Sequence, residues 1–221
     1  MAPLPFNGSV VCFSKAIAVL QNRRAGSTGE DVDYRLYELN PTRGCIAWDS
    51  IVAFNGAVGY LTADGFVVTD GVNEVVISGD VWKPARSVGE WSYEIGDCLK
   101  GVNADTDLAH FHAAVMGCKL YVTYRLTSGA TVPNRMLVYD FTGSAQKSGI
   151  ASVLGPNGEP WGWSTPLTLS VSVMGEIRGS SGTARYGTDE SNAGATRNGR
   201  VEQIETGTDD NGSAVTSERW S

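Results

Sequence analysis

The chain has 221 residues, enough for one all-β domain or two small ones with a buried core. Its 27 glycines, 8 prolines and 19% charged residues suit short strands joined by tight turns and argue against a helical bundle. A net charge of −7 argues against stable nucleic-acid binding, because a phosphate backbone is gripped by clustered cations and the one adjacent basic pair is Arg23-Arg24.

In chain order, Met1-Ala2-Pro3-Leu4-Pro5 has neither the basic start nor the apolar core of a secretory signal. No run approaches the roughly 18 apolar residues that cross a bilayer. The expectation is a soluble protein made in a cytoplasm, with no membrane partner. Residues 9–13 and 17–20 read as a hairpin, 23–32 as a polar loop and 34–39 as a further strand. The clearest unit follows. Residues 46–53 read as a strand, Phe54-Asn55-Gly56 as a turn and 57–61 as a strand. Ala63-Asp64-Gly65 is the next turn, 66–69 a strand, Asp70-Gly71 a turn and 72–77 a strand. Asn-Gly and Asp-Gly favour the positive φ of type I′ hairpin turns, so this stretch predicts a four-stranded antiparallel meander.

The third unit starts at Leu108, with strands over 120–126 and 135–141 around a loop at 127–134. The fourth uses 167–173, which places Leu167, Leu169, Val171 and Val173 on one face. Residues 179–199 are poor in large apolar side chains and predict a mobile loop; 200–205 and 214–220 supply further strands. A short turn around 94–100 is the best helix candidate.

A repeat underlies these units. Phe6-Asn7-Gly8, Phe54-Asn55-Gly56, Val115-Met116-Gly117 and Val173-Met174-Gly175 each precede, three residues on, a triplet ending in Ser or Thr. The triplets are Cys12-Phe13-Ser14, Tyr60-Leu61-Thr62, Tyr121-Val122-Thr123 and Gly179-Ser180-Ser181. The four glycines lie 48, 61 and 58 residues apart. A β-rich unit at that period, stretched by insertions, is the signature of propeller blades. The expected fold is therefore all-β, a β-propeller-like array of about four four-stranded antiparallel blades in a single domain, with units at about 6–43, 44–82, 108–143 and 165–221. Only about four units fit, so the array is expected to be a fragment, a minimal module or a piece that another subunit completes.

Site chemistry is sparse. No Gly-rich phosphate loop, nucleophile elbow or helical His pair occurs. A Ser-His-Asp set would have to use His110 or His112, which flank Phe111. A glycosidase needs two convergent carboxylates. Asp49, Asp64, Asp70 and Asp97 are the candidates, and Asp64 and Asp70 sit in turns where acids serve local hydrogen bonds. Asn103, Asp105 and Asp107, and Asp209-Asp210-Asn211-Gly212, read as polar turns rather than calcium loops. Leu108 stands where a calcium loop turns on Gly, and the second cluster lacks alternation. Cys12, Cys45, Cys98 and Cys118 form no CxxC pair and read first as buried free thiols, second as disulfides. No catalytic residue, cofactor or metal is expected. Trp82, Trp91, Trp161 and Trp163 stand near unit boundaries; they read first as wedges between sheets and second as a binding surface for carbohydrate or protein.

A resemblance rests on an ordered set of these residues. Gly44-Cys45-Ile46, Asn55-Gly56, Tyr60-Leu61, Asp64-Gly65-Phe66 and Asp70-Gly71 resemble blades of β-propeller proteins in tailed-phage virions, of the head-completion and tail-nozzle type. Asn134-Arg135-Met136-Leu137-Val138-Tyr139-Asp140, with Trp161 and Trp163 downstream, looks like a later blade. The run from Gly199 through Gly207 (Arg200-Val201-Glu202-Gln203-Ile204-Glu205-Thr206 between them), then Trp220, looks like a closing segment. The resemblance implies a non-catalytic virion part of the head–tail connector or tail, assembled in the host cytoplasm. Its implied partners are further copies in a homo-oligomeric ring and other virion proteins.

Overall fold

The computed structural model of the chain describes residues 2–4, 8–24, 32–62, 64–79, 111–124, 133, 135–144, 146–164, 171–179, 182–189, 200–204, 209–210 and 213–214. It is all-β and every ladder is antiparallel. Among the described residues the only helical pieces are two short 3-10 turns, Thr142–Ser144 and Gly149–Val153. The chain divides into two compact units. One holds Met1–Gly79 and Gly143–Trp161, the other Asp80–Thr142 and Gly162–Ser221.

The first unit contains two four-stranded meanders. β1 (Ala2–Leu4), β2 (Gly8–Cys12), β3 (Ile17–Arg24) and β4 (Val32–Asn40) pair in chain order, as do β5 (Ala47–Phe54), β6 (Ala57–Thr62), β7 (Gly65–Thr69) and β8 (Glu74–Val76). The polar loop expected at 23–32 is shorter than its composition suggested. Arg23 and Arg24 continue the ladder opposite Asp33 and Val32. Ladder bonds are made by the backbone, so polar residues such as Arg23 and Arg24 extend the pairing.

The turns show why chain order became sheet order. Asn55 and Gly56 have φ of 46° and 77°, the paired positive values of a type I′ turn, and they join Phe54 to its partner Ala57. The two Asp-Gly turns depart from that expectation, since neither aspartate has positive φ. Asp70 instead turns the chain with its side chain: Oδ1 accepts the N–H groups of Val72 (3.0 Å) and Asn73 (2.9 Å), and Gly71 alone takes φ of 89°. β8 accordingly starts at Glu74, two residues later than the sequence predicted.

Alternation then sorts the side chains. Val58, Tyr60 and Val67 meet Val10 and Ile17 in one buried cluster, with Cys12, Cys45, Leu39, Ile51 and Val76 around it. Leu61, Phe66 and Val68 lie on the opposite face of the second sheet and are equally buried. Gly59 makes room there: a Cβ on it would sit 2.7 Å from the Phe66 ring. Every residue of β6 and β7 is buried, so this sheet is covered on both sides.

The second unit repeats the plan with three strands. β9 (His112–Met116), β10 (Lys119–Tyr124) and β11 (Arg135–Asp140) form a sheet with β10 central. Gly117, with φ of 62°, opens the two-residue turn between β9 and β10. Met116, Tyr121, Met136 and Val138 pack with Met174 on one face, while Leu120, Val122, Tyr124, Leu137 and Tyr139 are buried on the other. β12 (Val171–Gly179), β13 (Gly182–Asp189) and β14 (Arg200–Ile204) make a further meander, and β15 (Asp209–Asp210) pairs with β16 (Ser213–Ala214).

Two expectations fail in this unit. The stretch expected as a mobile loop contains β13, laddered to β12 and β14 on both sides. Thr183, Tyr186 and Thr188 supply β-forming residues there without the large aliphatics that mark a strand by composition. The fourth repeat copy is not a turn. Val173-Met174-Gly175 lies inside β12, with Gly175 opposite Tyr186. The second and third copies each meet a two-residue turn that feeds a central strand burying Tyr60 or Tyr121, though Gly56 stands second in its turn and Gly117 first.

Within that shared spacing, Thr62 and Thr123 differ. Thr62 hydroxyl donates to Gly65 O (2.9 Å) and accepts from Asp64 N (3.2 Å) across the tight turn that follows. Its counterpart Thr123 is followed by a longer connection to Arg135, and its buried Oγ1 finds no partner among the described residues. Replacing Thr123 with Val removes a desolvated hydroxyl while keeping its shape. The expected result is a gain of about 1 kcal/mol in urea denaturation, and a loss of stability is the contrary outcome.

Candidate functional site

Of the four tryptophans singled out by sequence, Trp82 and Trp91 lie outside the described residues. So do Cys98, Asp97, Asn103, Asp105, Asp107, His110, Trp220 and the helix candidate at 94–100. Trp161 belongs to the first unit and Trp163 to the second.

Trp161 is half-buried and tied down. Its Nε1 donates to Ser144 Oγ (2.8 Å), which donates to Ser152 O (2.7 Å); Ser152 Oγ donates to Gly149 O (2.7 Å). Gly149 N in turn donates to Asn55 O (2.8 Å). The indole lies so close over Gly143 that a Cβ there would come within 2.9 Å of the ring. Residues 143–161 are thus a strap whose hydrogen bonds end on the Asn55-Gly56 turn. Trp163 packs its ring 5.0 Å from that of Tyr139 at a tilt of 48°, and bridges the edge of β11.

The most exposed aromatic of the described residues is one that sequence reasoning missed. Trp48 is 77% exposed. It stands on an outward bulge of β5: Ala47 pairs with Leu61, but the next pairing is Val52 with Gly59, so five steps on β5 answer two on β6. Ser50, fully buried, holds the bulge. Its hydroxyl donates to Ala47 O and accepts from Leu61 N (2.8 Å), replacing a lost ladder bond. The length mismatch between the two predicted strands, 46–53 against 57–61, was the legible signal.

Among the described residues of the first unit, a polar group gathers around Glu74. Its Oε1 accepts the Tyr60 hydroxyl and its Oε2 accepts Asn40 Nδ2 (2.8 Å). Arg43 Nη1 lies 3.7 Å from Oε2, and Arg43 Nε bonds Asp64 Oδ2 at 3.1 Å. These five residues come from the end of β4, the β4–β5 connection, β6, the β6–β7 turn and β8. Glu74 therefore fastens the two sheets of this unit with both carboxylate oxygens engaged. Asp64 and Asp70 are occupied as turn acids, Asp64 with Arg43 and Asp70 with its own loop. Among the described residues no three His, Cys, Asp or Glu side chains are placed to hold a metal ion. No helix among them is long and apolar enough to cross a membrane.

Cys12, Cys45 and Cys118 are free thiols. Burial, with Cys45 beside it, pushes the Cys12 thiol up from 9.0 to about 12. Burial also pushes Cys45 up, and burial followed by the Glu74 carboxylate pushes the Tyr60 hydroxyl up. The unfolded chain releases the Cys12 proton near pH 9.0 whereas the folded chain keeps it. Above that pH the unfolded state binds fewer protons, so stability falls as pH rises. Thermal melts are expected to be level up to about pH 9 and to fall towards about pH 12. Cys12→Ser should flatten part of that fall, and an unchanged slope would remove Cys12 as its source.

No protein-family model matches the chain, and no curated protein is detectably similar to it.

Proposed function

We propose that this chain is a non-catalytic structural or assembly part of a tailed-phage virion, built from propeller-type blades and working at the head–tail connector or tail. The observation that carries the reading is a run of meanders in which chain order equals sheet order, the central strands β6 and β7 of one of them being buried on both faces. A sheet in a two-layer sandwich leaves one face to water, whereas a blade is covered on both. The burial of all of β6 and β7 supports the second arrangement. A net charge of −7 also suits a conduit past which DNA must slide without being gripped. Electron microscopy of the purified chain, alone and mixed with capsids lacking it, tests the proposal. Rings, or capsid-bound density, are expected. Particles that stay single and bind neither heads nor tails would refute it.

A second reading, a module that binds carbohydrate or protein, draws its support from Trp48, because a buried Ser50 maintains a bulge that presents an aromatic ring to solvent. Saturable binding to a glycan, lost in Trp48→Ala with the fold intact, would favour it.

A further inference from the structure

We propose that Cys12 and Cys45 are a latent disulfide pair, which closes on oxidation by a small-molecule disulfide and locks the first sheet to the connection that enters the second. The inference does not depend on the virion reading. It starts from the joint between β2 and that connection. Cys45 N donates to Phe13 O (2.9 Å), and Gly44 lies so close on the β2–β3 turn that a Cβ there would meet Lys15 N at 2.3 Å. A backbone bond of that kind holds two chains about 5 Å apart, which is the scale of the roughly 4.4–6.8 Å that a disulfide spans between Cα atoms. Phe13 is 49% exposed and turns its ring outward, so Cys12 before it faces the opposite side. There Cys12 packs against the buried cluster that contains Cys45, Val10, Ile17 and Tyr60. The two thiols thus belong to one cluster, one from each side of the joint.

Access sets the order of the chemistry. Cys12 is partly exposed, whereas Cys45 is buried. Cys12 therefore reacts first: it gives up its proton, its sulfur bonds one sulfur of the oxidant, and the oxidant's S–S bond breaks to release one thiol. Cys45 then loses its proton and attacks Cys12 Sγ, and the second thiol leaves. Two protein thiols are oxidised to one disulfide, and the oxidant is reduced to two thiols. Burial disfavours the attacking thiolate at both positions, so closure is slow. In the reduced chain Cys45 Sγ donates to Ala47 O (3.1 Å). Giving up that weak donor strands no acceptor, because the Ser50 hydroxyl also donates to Ala47 O. The closed ring encloses β3 and β4 and ties β2 to the β4–β5 connection. Cys118 belongs to the second unit.

The full reduced chain, incubated with oxidised glutathione, blocked with iodoacetamide and digested without reductant, should yield a linked peptide pair holding Cys12 and Cys45. That mapping needs no variant. The oxidised chain should melt at least about 5 °C above the reduced one, because the link restricts the unfolded chain, and dithiothreitol should cancel the rise. Cys45→Ala should stop at a glutathione adduct on Cys12, and Cys12→Ala should abolish the rise. Both thiols still free in the folded chain under conditions that oxidise the urea-unfolded chain would overturn the proposal. So would a link from either one to Cys98 or Cys118 in place of the 12–45 link, a 12–45 link that leaves the melting temperature unchanged, or a rise that persists in Cys12→Ala.

Discussion

Gly44→Ala is expected to be among the most damaging single substitutions in the first unit. Gly44 has no unusual φ, so the argument is one of space alone. A Cβ at this position would lie 2.3 Å from Lys15 N, 2.3 Å from Ser14 C and 2.4 Å from Ser14 O. All three are backbone atoms in the β2–β3 turn, and no rotamer change relieves them. The contact is also tied from both sides: Cys45 N donates to Phe13 O at 2.9 Å, and Phe13 N donates to Ala16 O at 2.9 Å. Relief requires the connection between the two sheets to lift off the turn, breaking the first bond and opening the cluster of Val10, Ile17 and Cys45 beneath it. Overpacking typically costs about 1–3 kcal/mol and more when the obstacle is rigid, so a loss of at least about 3 kcal/mol is expected. Chemical denaturation followed by tryptophan fluorescence measures it. Gly162→Ala, where a Cβ meets nothing within 4 Å, is the control. A Gly44→Ala variant as stable as that control would mean that the turn and the connection do not pack as described.

How far the sequence could be read follows from the same physics. Turn chemistry acts locally, so Asn55-Gly56 was legible as a hairpin from two residues. Asp70-Gly71 was legible as a turn but not as its type, because the carboxylate can accept two backbone N–H groups and so dispense with positive φ at the aspartate. The repeat was legible where glycine does one job, at Gly56 and Gly117, and misleading at Gly175, where it does another inside a strand. β13 was hidden because ladder bonds are made by backbone and need no large apolar side chain. The fastening around Glu74 was illegible. It joins Asn40 to a residue 34 positions away, and nothing in the local pattern of either marks the other. The exposed Trp48 was masked for a related reason: alternation assigns faces only while the ladder stays in register, and the bulge breaks it.

Glu74→Ala carries the second large effect, and its size depends on what is left behind rather than on the contacts removed. The substitution strands the hydroxyl of fully buried Tyr60, the amide of Asn40 and one side of Arg43. Leaving a buried donor unsatisfied costs about 1–3 kcal/mol, and an uncompensated partner charge adds to that. The Arg43 side chain is 29% exposed, so water screens its share, and the Asp64 side chain at 63% exposure adds little. The expected loss is about 2–4 kcal/mol for Glu74→Ala, against under about 1 kcal/mol for Asp64→Ala. A double-mutant cycle separates causes. If the stranded Tyr60 hydroxyl dominates, adding Tyr60→Phe to Glu74→Ala costs less than Tyr60→Phe costs alone, a coupling of about 1 kcal/mol or more. Strict additivity would show instead that Glu74 acts through Asn40 and Arg43, and that the fastening of the two sheets lies at the β4–β5 connection rather than in the core.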